Sequence, residues 1–408
     1  MKNLYLIASI MLALLLIGSC KYAPTEPPKG EIRSLTQTEK QLVSSADKFG
    51  LKLFQKVNEL EQNKNLFISP LSVSLALGMT LNGANTSTYD SMRNTLELPD
   101  IPQGQINEAY KSLIDLLTGI DPKVNFKIAN SIFYQNTYTF ENDFIEVNKK
   151  YFDALVRGLN FNDPATVNII NQWVKDNTNG KIEKIVESIE NDIVMFLINA
   201  LYFKGTWKYE FEKNKTRDDW FIQPNGTRST CKMMVQESGF SYFANEDFQA
   251  IDLPYGDGAF SMTIFLPKQN RDVNSFIASI TESNWNNWLS SFTIQNVKLY
   301  LPKFKLEYEI QMKDVLTALG MGIAFDPGNA DFTKLYRGPG RAYISKVKHK
   351  TFVDVYEEGT EAAAVTSVEI GFISVREDIV MRCDRPFVFV IREKNSNSIL
   401  FIGKIIKP

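Results

Sequence analysis

Histidine is almost missing: the chain has 408 residues and a single imidazole, His349. A His-rich metal site is therefore out, and Ser–His–Asp or Cys–His catalysis would have to be built around this one side chain. No nucleophile elbow and no phosphate-cradling glycine loop supports such a site. The carboxylates are scattered and form no recognisable pair. His349 thus reads as a hydrogen-bonded structural residue, and neither an enzyme nor a metal or cofactor site is expected. Cysteine is scarce too. Cys20, Cys231 and Cys383 are three in all, too few for a disulfide framework. An excess of positive charge is also lacking. With 45 basic and 47 acidic residues the net charge is −2, which excludes general nucleic-acid binding. There is no internal repeat, no low-complexity segment, and no linker that would split residues 39–408.

What is present begins with a targeting segment. Lys2 supplies a positive end and Leu4 to Ile17 is an uncharged apolar run. A run this short suits a signal segment better than a spanning helix. Ile17-Gly18-Ser19-Cys20 then sets small residues before a cysteine, which resembles a bacterial lipoprotein signal: cleavage before Cys20 and lipidation of its thiol. Ordinary secretory cleavage, with Cys20 incidental, is the alternative. The expected organisation is a signal peptide over 1–19, a flexible tether over 20–38 and one domain over 39–408. The tether carries Pro24, Pro27 and Pro28 and no apolar periodicity. At roughly 3.3 Å per residue it spans some tens of ångströms. The expected location is the bacterial envelope, lipid-anchored to the outer membrane or cell surface, with secretion as the other outcome. Cys231 and Cys383 are left either to pair or to stay as buried thiols.

From Glu39 the pattern becomes that of a globular domain, with a composition 44% hydrophobic and 12% aromatic, enough for a sizeable core. Ala46, Phe49, Leu53, Phe54, Val57 and Leu60 recur at helical spacing. Ser72 to Leu81 is a second helix candidate, and Asn168 to Val186 a third, with Gly180 as a stop. Lys127 to Tyr134 interrupts the helical first half as a strand. After Ile193 short β-branched or aromatic runs dominate: 194–203, 260–266, 297–301, 352–356, 387–391 and 399–406. Helices first and strands later predict an α+β fold.

The segment from Glu357 to Ser374 is unusual. Its first half is Glu357-Glu358-Gly359-Thr360-Glu361-Ala362-Ala363-Ala364, small and alanine-rich; its second half is β-branched. Alanine favours helix, but Gly359 and the run Val365, Thr366, Val368, Ile370 argue against one. As a strand, alternate residues share a face. Thr360, Ala362, Ala364, Thr366, Val368, Ile370 and Phe372 then form a face without charge, while Glu361 and Glu369 fall on the other. Such a strand can bury one face and wet the other.

This hinge resembles that of inhibitory serpins, and other stretches agree with the family in order. They are Asn65 to Ser74, Asn199 to Trp207, Asp252 to Tyr255, Leu301 to Phe304, Leu319 to Met321, Ala330 to Phe332, Asp384 to Phe387 and Phe401 to Gly403. The resemblance runs from about residue 40 to 408. It implies the serpin fold: helices around a large, mostly antiparallel central sheet, two further sheets and an exposed reactive loop. It implies that Ser69, Ser72, Asn199 and His349 form the polar "shutter" beneath the central sheet, and that Trp207 is the "breach" tryptophan where insertion begins. Family spacing sets the scissile bond sixteen residues after Glu357, at Ile373–Ser374, with Val375 or Arg376 serving if a protease engages another register.

The implied activity is suicide inhibition of proteases: loop cleavage, trapping of the acyl-enzyme and insertion of the loop into the sheet. The expected partners are proteases that take apolar residues, elastase-like or subtilisin-like, and papain-like enzymes through Phe372. The protein is expected to act as a monomer. Glycosaminoglycan activation, known in some serpins, is not expected, because Leu81 to Ile120 holds only Arg93 and Lys111 as basic residues. The alternative within the family is a non-inhibitory serpin acting as a binding or scaffold protein. A lipid-anchored hydrolase would need a triad that the sequence does not supply.

Overall fold

The first helix, α1 (Gln37–Leu60), is started by a reciprocal cap: Thr36 accepts from the Glu39 amide while Glu39 accepts from the Thr36 amide. Arg33 hydrogen-bonds the buried Glu39 carboxylate, and its guanidinium holds that carboxyl down at about 2. Residues 33–38, the end of the expected tether, are thus fastened to the body. The computed structural model describes residues 33–360 and 379–408. The expected signal at 1–19, Cys20 and the first part of the tether lie outside the described residues. So do Glu361, Ala362, Ala363, Ala364, Ile373 and Ser374.

After α1 come β1 (Leu66–Ile68) and helices α2 (Pro70–Leu81), α3 (Thr86–Thr95) and α4 (Gln103–Gly119). β2 (Val124–Gln135), α5 (Asn142–Phe152), β3 (Leu155–Leu159), α6 (Ala165–Asn177) and β4 (Met195–Thr206) follow. The second half holds β5 (Arg217–Ile222), β6 (Arg228–Ala244), β7 (Phe248–Tyr255), β8 (Phe260–Pro267), α7 (Val273–Ser279) and α8 (Glu282–Ser290). It continues with β9 (Thr293–Pro302), β10 (Phe304–Gln311), β11 (Lys348–Tyr356), β12 (Gly359–Thr360), β13 (Ile379–Arg382), β14 (Phe387–Glu393) and β15 (Ile399–Ile405).

The strands make two sheets. One has the order β10-β11-β12-β4-β2-β3, antiparallel except for β2 beside β3. The other runs β1-β15-β14-β8-β7-β6-β9-β13, with β5 paired to β6. The two further sheets implied by the resemblance are thus one hydrogen-bonded network, because the 17-residue β6 pairs with β5 and β9 along one part of its length and with β7 at its end. Every residue of β8, β14 and β15 is buried, and so is nearly all of α2. A helix apolar on all sides belongs in a core, and α2 packs against α1, β4 and β15. The fold is α+β, as the order of sequence patterns predicts.

Candidate functional site

Strands β4 and β11 lie next to each other in the six-stranded sheet, but they meet only through a wedge. Gly359 pairs with Tyr356 on one side and Thr206 on the other; Thr360 pairs with Val355 and Gly205. Below that point, among the described residues, no ladder joins the two strands. A cavity of about 470 Å³ opens there, lined by Leu197, Asn199 and Leu201 from β4 and by Val347, His349 and Thr351 from the other side. Leu197, Asn199 and Leu201 are only half-buried, whereas Phe203 and Gly205, higher on the same strand face, are buried. Among the described residues the two facing edges have no strand paired between them there, and such edges are a template for one more strand.

The wedge is held by contacts that need its residue types. Gly359 has φ +147°, and a Cβ there would sit 2.2 Å from the Gly205 carbonyl oxygen. Only glycine fits this approach. Thr360 is 3% exposed, and its hydroxyl hydrogen-bonds the Tyr255 hydroxyl at 2.7 Å. Tyr255 stacks on Trp207 at 4.4 Å, and the Trp207 indole donates to the Tyr356 carbonyl at 3.0 Å. The amides of Trp207 and Phe211 donate to the carbonyls of Glu358 and Glu357, both at 2.9 Å. The Glu357 carboxylate accepts from Lys303 and from the Thr216 hydroxyl, each at 2.8 Å. Burial alone would raise that carboxyl; the Lys303 ammonium and the other donors bring it below the usual range. Glu358 pairs with Lys213.

The lower end is polar. His349 is buried, and its Nε2 accepts from the Ser69 amide at 3.0 Å. Burial pushes its pKa down to about 4, so the ring is neutral at ordinary pH with its proton on Nδ1. Ser69 caps α2: its Oγ accepts from the Ser72 amide at 3.2 Å and donates to the Leu400 carbonyl at 2.7 Å. The hydroxyl proton of Ser69 is therefore directed away from His349, which is not the arrangement of an activated nucleophile. Across the cavity the Asn199 amide donates to Asn130 Oδ1 at 2.8 Å, and Asn130 donates to the Phe152 carbonyl at 2.7 Å. The buried Oδ1 of Asn199 has no partner among the described residues.

Ser69, Ser72 and His349 thus come together, Asn199 faces them, and Trp207 lies at the upper end with Glu357, Glu358, Gly359 and Thr360. Asn130, Tyr255, Lys303, Lys213 and Thr216 escaped the sequence reading. Tyr255 and Lys303 stand inside recognised motifs, and Asn130 is a polar residue within the run 127–134, so their positions were marked although their partners were not. Cys231 and Cys383 are buried free thiols rather than a pair. Burial pushes Cys231 up to about 11, and raises Cys383 further. Neither is a ready thiolate.

The model of the family described as "Serpin (serine protease inhibitor)" matches residues 44–408. Human neuroserpin is 33% identical over 371 residues, covering 87% of this chain and 89% of that protein. The structure of tengpin, a thermophilic serpin, in its native state matches with a TM-score of 0.83 at 35% identity, covering 93% of this chain and 97% of that one. Human thyroxine-binding globulin, solved in complex with thyroxine, also matches with a TM-score of 0.83, at 26% identity over 91% of this chain and 99% of that one.

Proposed function

The chain belongs to the serpin family, and on that premise we propose that it is a suicide inhibitor of proteases that cleave after apolar residues. The observation that carries this reading is the wedge: Gly359 and Thr360 pair on both sides, between β11 and β4. An insertion path begins where they stand. Counted on in the same register, position 366 falls level with His349 of β11 and Asn199 of β4. By parity, Thr366 would turn its side chain toward the shutter residues, the side on which Thr360 is buried. The other residues of that loop face are uncharged, as passage between two strands requires.

The target protease supplies the catalysis. Its nucleophile adds to the Ile373 carbonyl carbon, the Ile373–Ser374 bond breaks, and Ser374 leaves as a free amine. The loop, joined to the enzyme through the Ile373 ester or thioester, is then free to extend the wedge. Each apolar side chain buried contributes roughly 1.5–3 kcal/mol, and both sheet edges gain a ladder. This drives a kinetically stored rearrangement that drags the enzyme and distorts its site before water can release it. Incubation with an elastase-like or subtilisin-like protease tests this. The expected product is an SDS-stable complex whose serpin part ends at Ile373. Clean cleavage with no complex would favour the alternative, a binding serpin, since the fold also occurs in a thyroxine-binding protein. The N-terminal segment supports a lipid-anchored envelope protein. Cys20→Ser should move it from the membrane fraction to the soluble one.

A further inference from the structure

The cleft is bridged on one face by residues 178–194, which link α6 to β4. Asn179 donates to the Tyr202 hydroxyl of β4 at 3.1 Å, and the Lys181 ammonium sits 5.0 Å over the Phe352 ring of β11. By strand parity this is the face opposite His349 and Asn199. The strap is pinned at its middle: Asn171 of α6 accepts from the amides of Ile185 and Val186 at 2.9 Å and donates to the Val186 carbonyl at 2.7 Å. Its end is pinned to β2, where the Gln135 amide donates to the Val194 carbonyl at 2.9 Å. Toward β11 it holds by charge. Glu187 meets Lys348 at 3.4 Å, Glu190 pairs with Lys346, and Asp192 accepts from the Tyr343 hydroxyl at 3.1 Å. Lys348 is shared with Glu309 of β10 at 2.8 Å. The backbone of residues 341–347 has no regular structure; two backbone bonds hold it to the body, from the Ile344 amide to the Ala324 carbonyl at 2.9 Å and from the Met312 amide to the Val347 carbonyl at 2.8 Å, while toward the strap it is held by these side-chain bonds.

We propose that Glu187, Glu190 and Asp192 form an electrostatic latch that sets how fast the cleft opens toward its lower end. The proposal rests on the inhibitory reading for its consequence, but not for its geometry. A strand lengthened past His349 has to pass between β4 and the segment 343–348, so these bonds must loosen.

Surface ion pairs are individually weak and screened by salt, and that gives the test. In wild-type protein, backbone amide exchange over 341–350 should speed up several-fold when ionic strength is raised from about 0.01 M to about 1 M, where the Debye length is about 3 Å. Glu187→Gln with Glu190→Gln should show the fast exchange at low salt and little further response. The swap Glu190→Lys with Lys346→Glu should restore slow exchange. The double Gln variant should also trap protease faster, by about threefold to tenfold, with less loop lost to plain hydrolysis. Equal exchange in wild type and the double variant, or an equal salt response in both, overturns the latch. Absence of any complex from wild type overturns the inhibitory reading instead, while the exchange measurement still decides the latch.

Discussion

The upper and lower halves of the same two strands are held in opposite ways. Above, β4 and β11 are joined through β12 by backbone pairing, and the contacts are buried: Thr360 on Tyr255, and Trp207 stacked on that ring. Below, the strands stand apart, and side chains hold what lies around the cavity: His349 on Ser69, Asn199 on Asn130, and lysines on the carboxylates of the strap. Backbone pairing suits any sequence that is small enough, whereas side-chain bonding must be undone residue by residue. On the inhibitory function proposed above, the upper half is a finished version of what the lower half can become, and the hydrogen bonds of the lower half are the barrier between them.

The comparison breaks most completely at Thr360. Thr360→Arg would force a charge into a site that is 3% exposed, where an unpaired ion is not tolerated. The wedge should be expelled, protease trapping should be lost, and the protein should be consumed as a substrate. Undiminished complex on a denaturing gel would show that the upper pairing is not the start of insertion.

At the lower half the sharpest probe is His349. Its folded pKa is depressed to about 4, below the usual value of about 6.5. The unfolded chain therefore takes up a proton first as pH falls. The stability of the neutral, buried form is fully present above about pH 6.5 and is lost progressively down to about pH 4, by roughly 3 kcal/mol in all. Denaturation midpoints across that range should fall in wild type and stay flatter in His349→Gln. Parallel curves would mean that the bond to Ser69 is not what titrates.

The smallest effect should come from Glu357. Its carboxyl is lowered by Lys303 and the other donors, so its contribution is present above the ordinary carboxylate pKa and lost as pH falls through the folded value. Glu357→Gln should destabilise the protein by about 1 kcal/mol at neutral pH and by less under acid, as read from thermal melts at both pH values. A loss that persists unchanged in acid would assign the role to packing instead.

Much of this was legible in the sequence, where local pattern carries it. β11 alternates buried and half-buried residues along its length, and Thr360 lies on the buried side that parity assigns it. Other elements have no such mark. β5 holds Asp218 and Asp219, and β6 passes through Glu237, Ser238 and Gly239, so neither reads as a strand from hydrophobic period alone. Their pairing is supplied by neighbours, not by propensity. Contacts such as Tyr255 with Thr360 or Lys303 with Glu357 join residues far apart in the chain. No local spacing can announce them, although the motifs marked Tyr255 and Lys303 as positions of interest.

The stacking of Trp207 on Tyr255 has an optical consequence. The indole is 3% exposed, touches the ring that bonds Thr360, and donates to the strand beside the wedge. Withdrawal of β12 would admit water to a chromophore that is otherwise dry and would shift its emission to longer wavelength. The chain has five tryptophans, and a Trp207→Phe control identifies which one reports. The molecule therefore contains its own gauge of where β12 sits, readable in solution without any label.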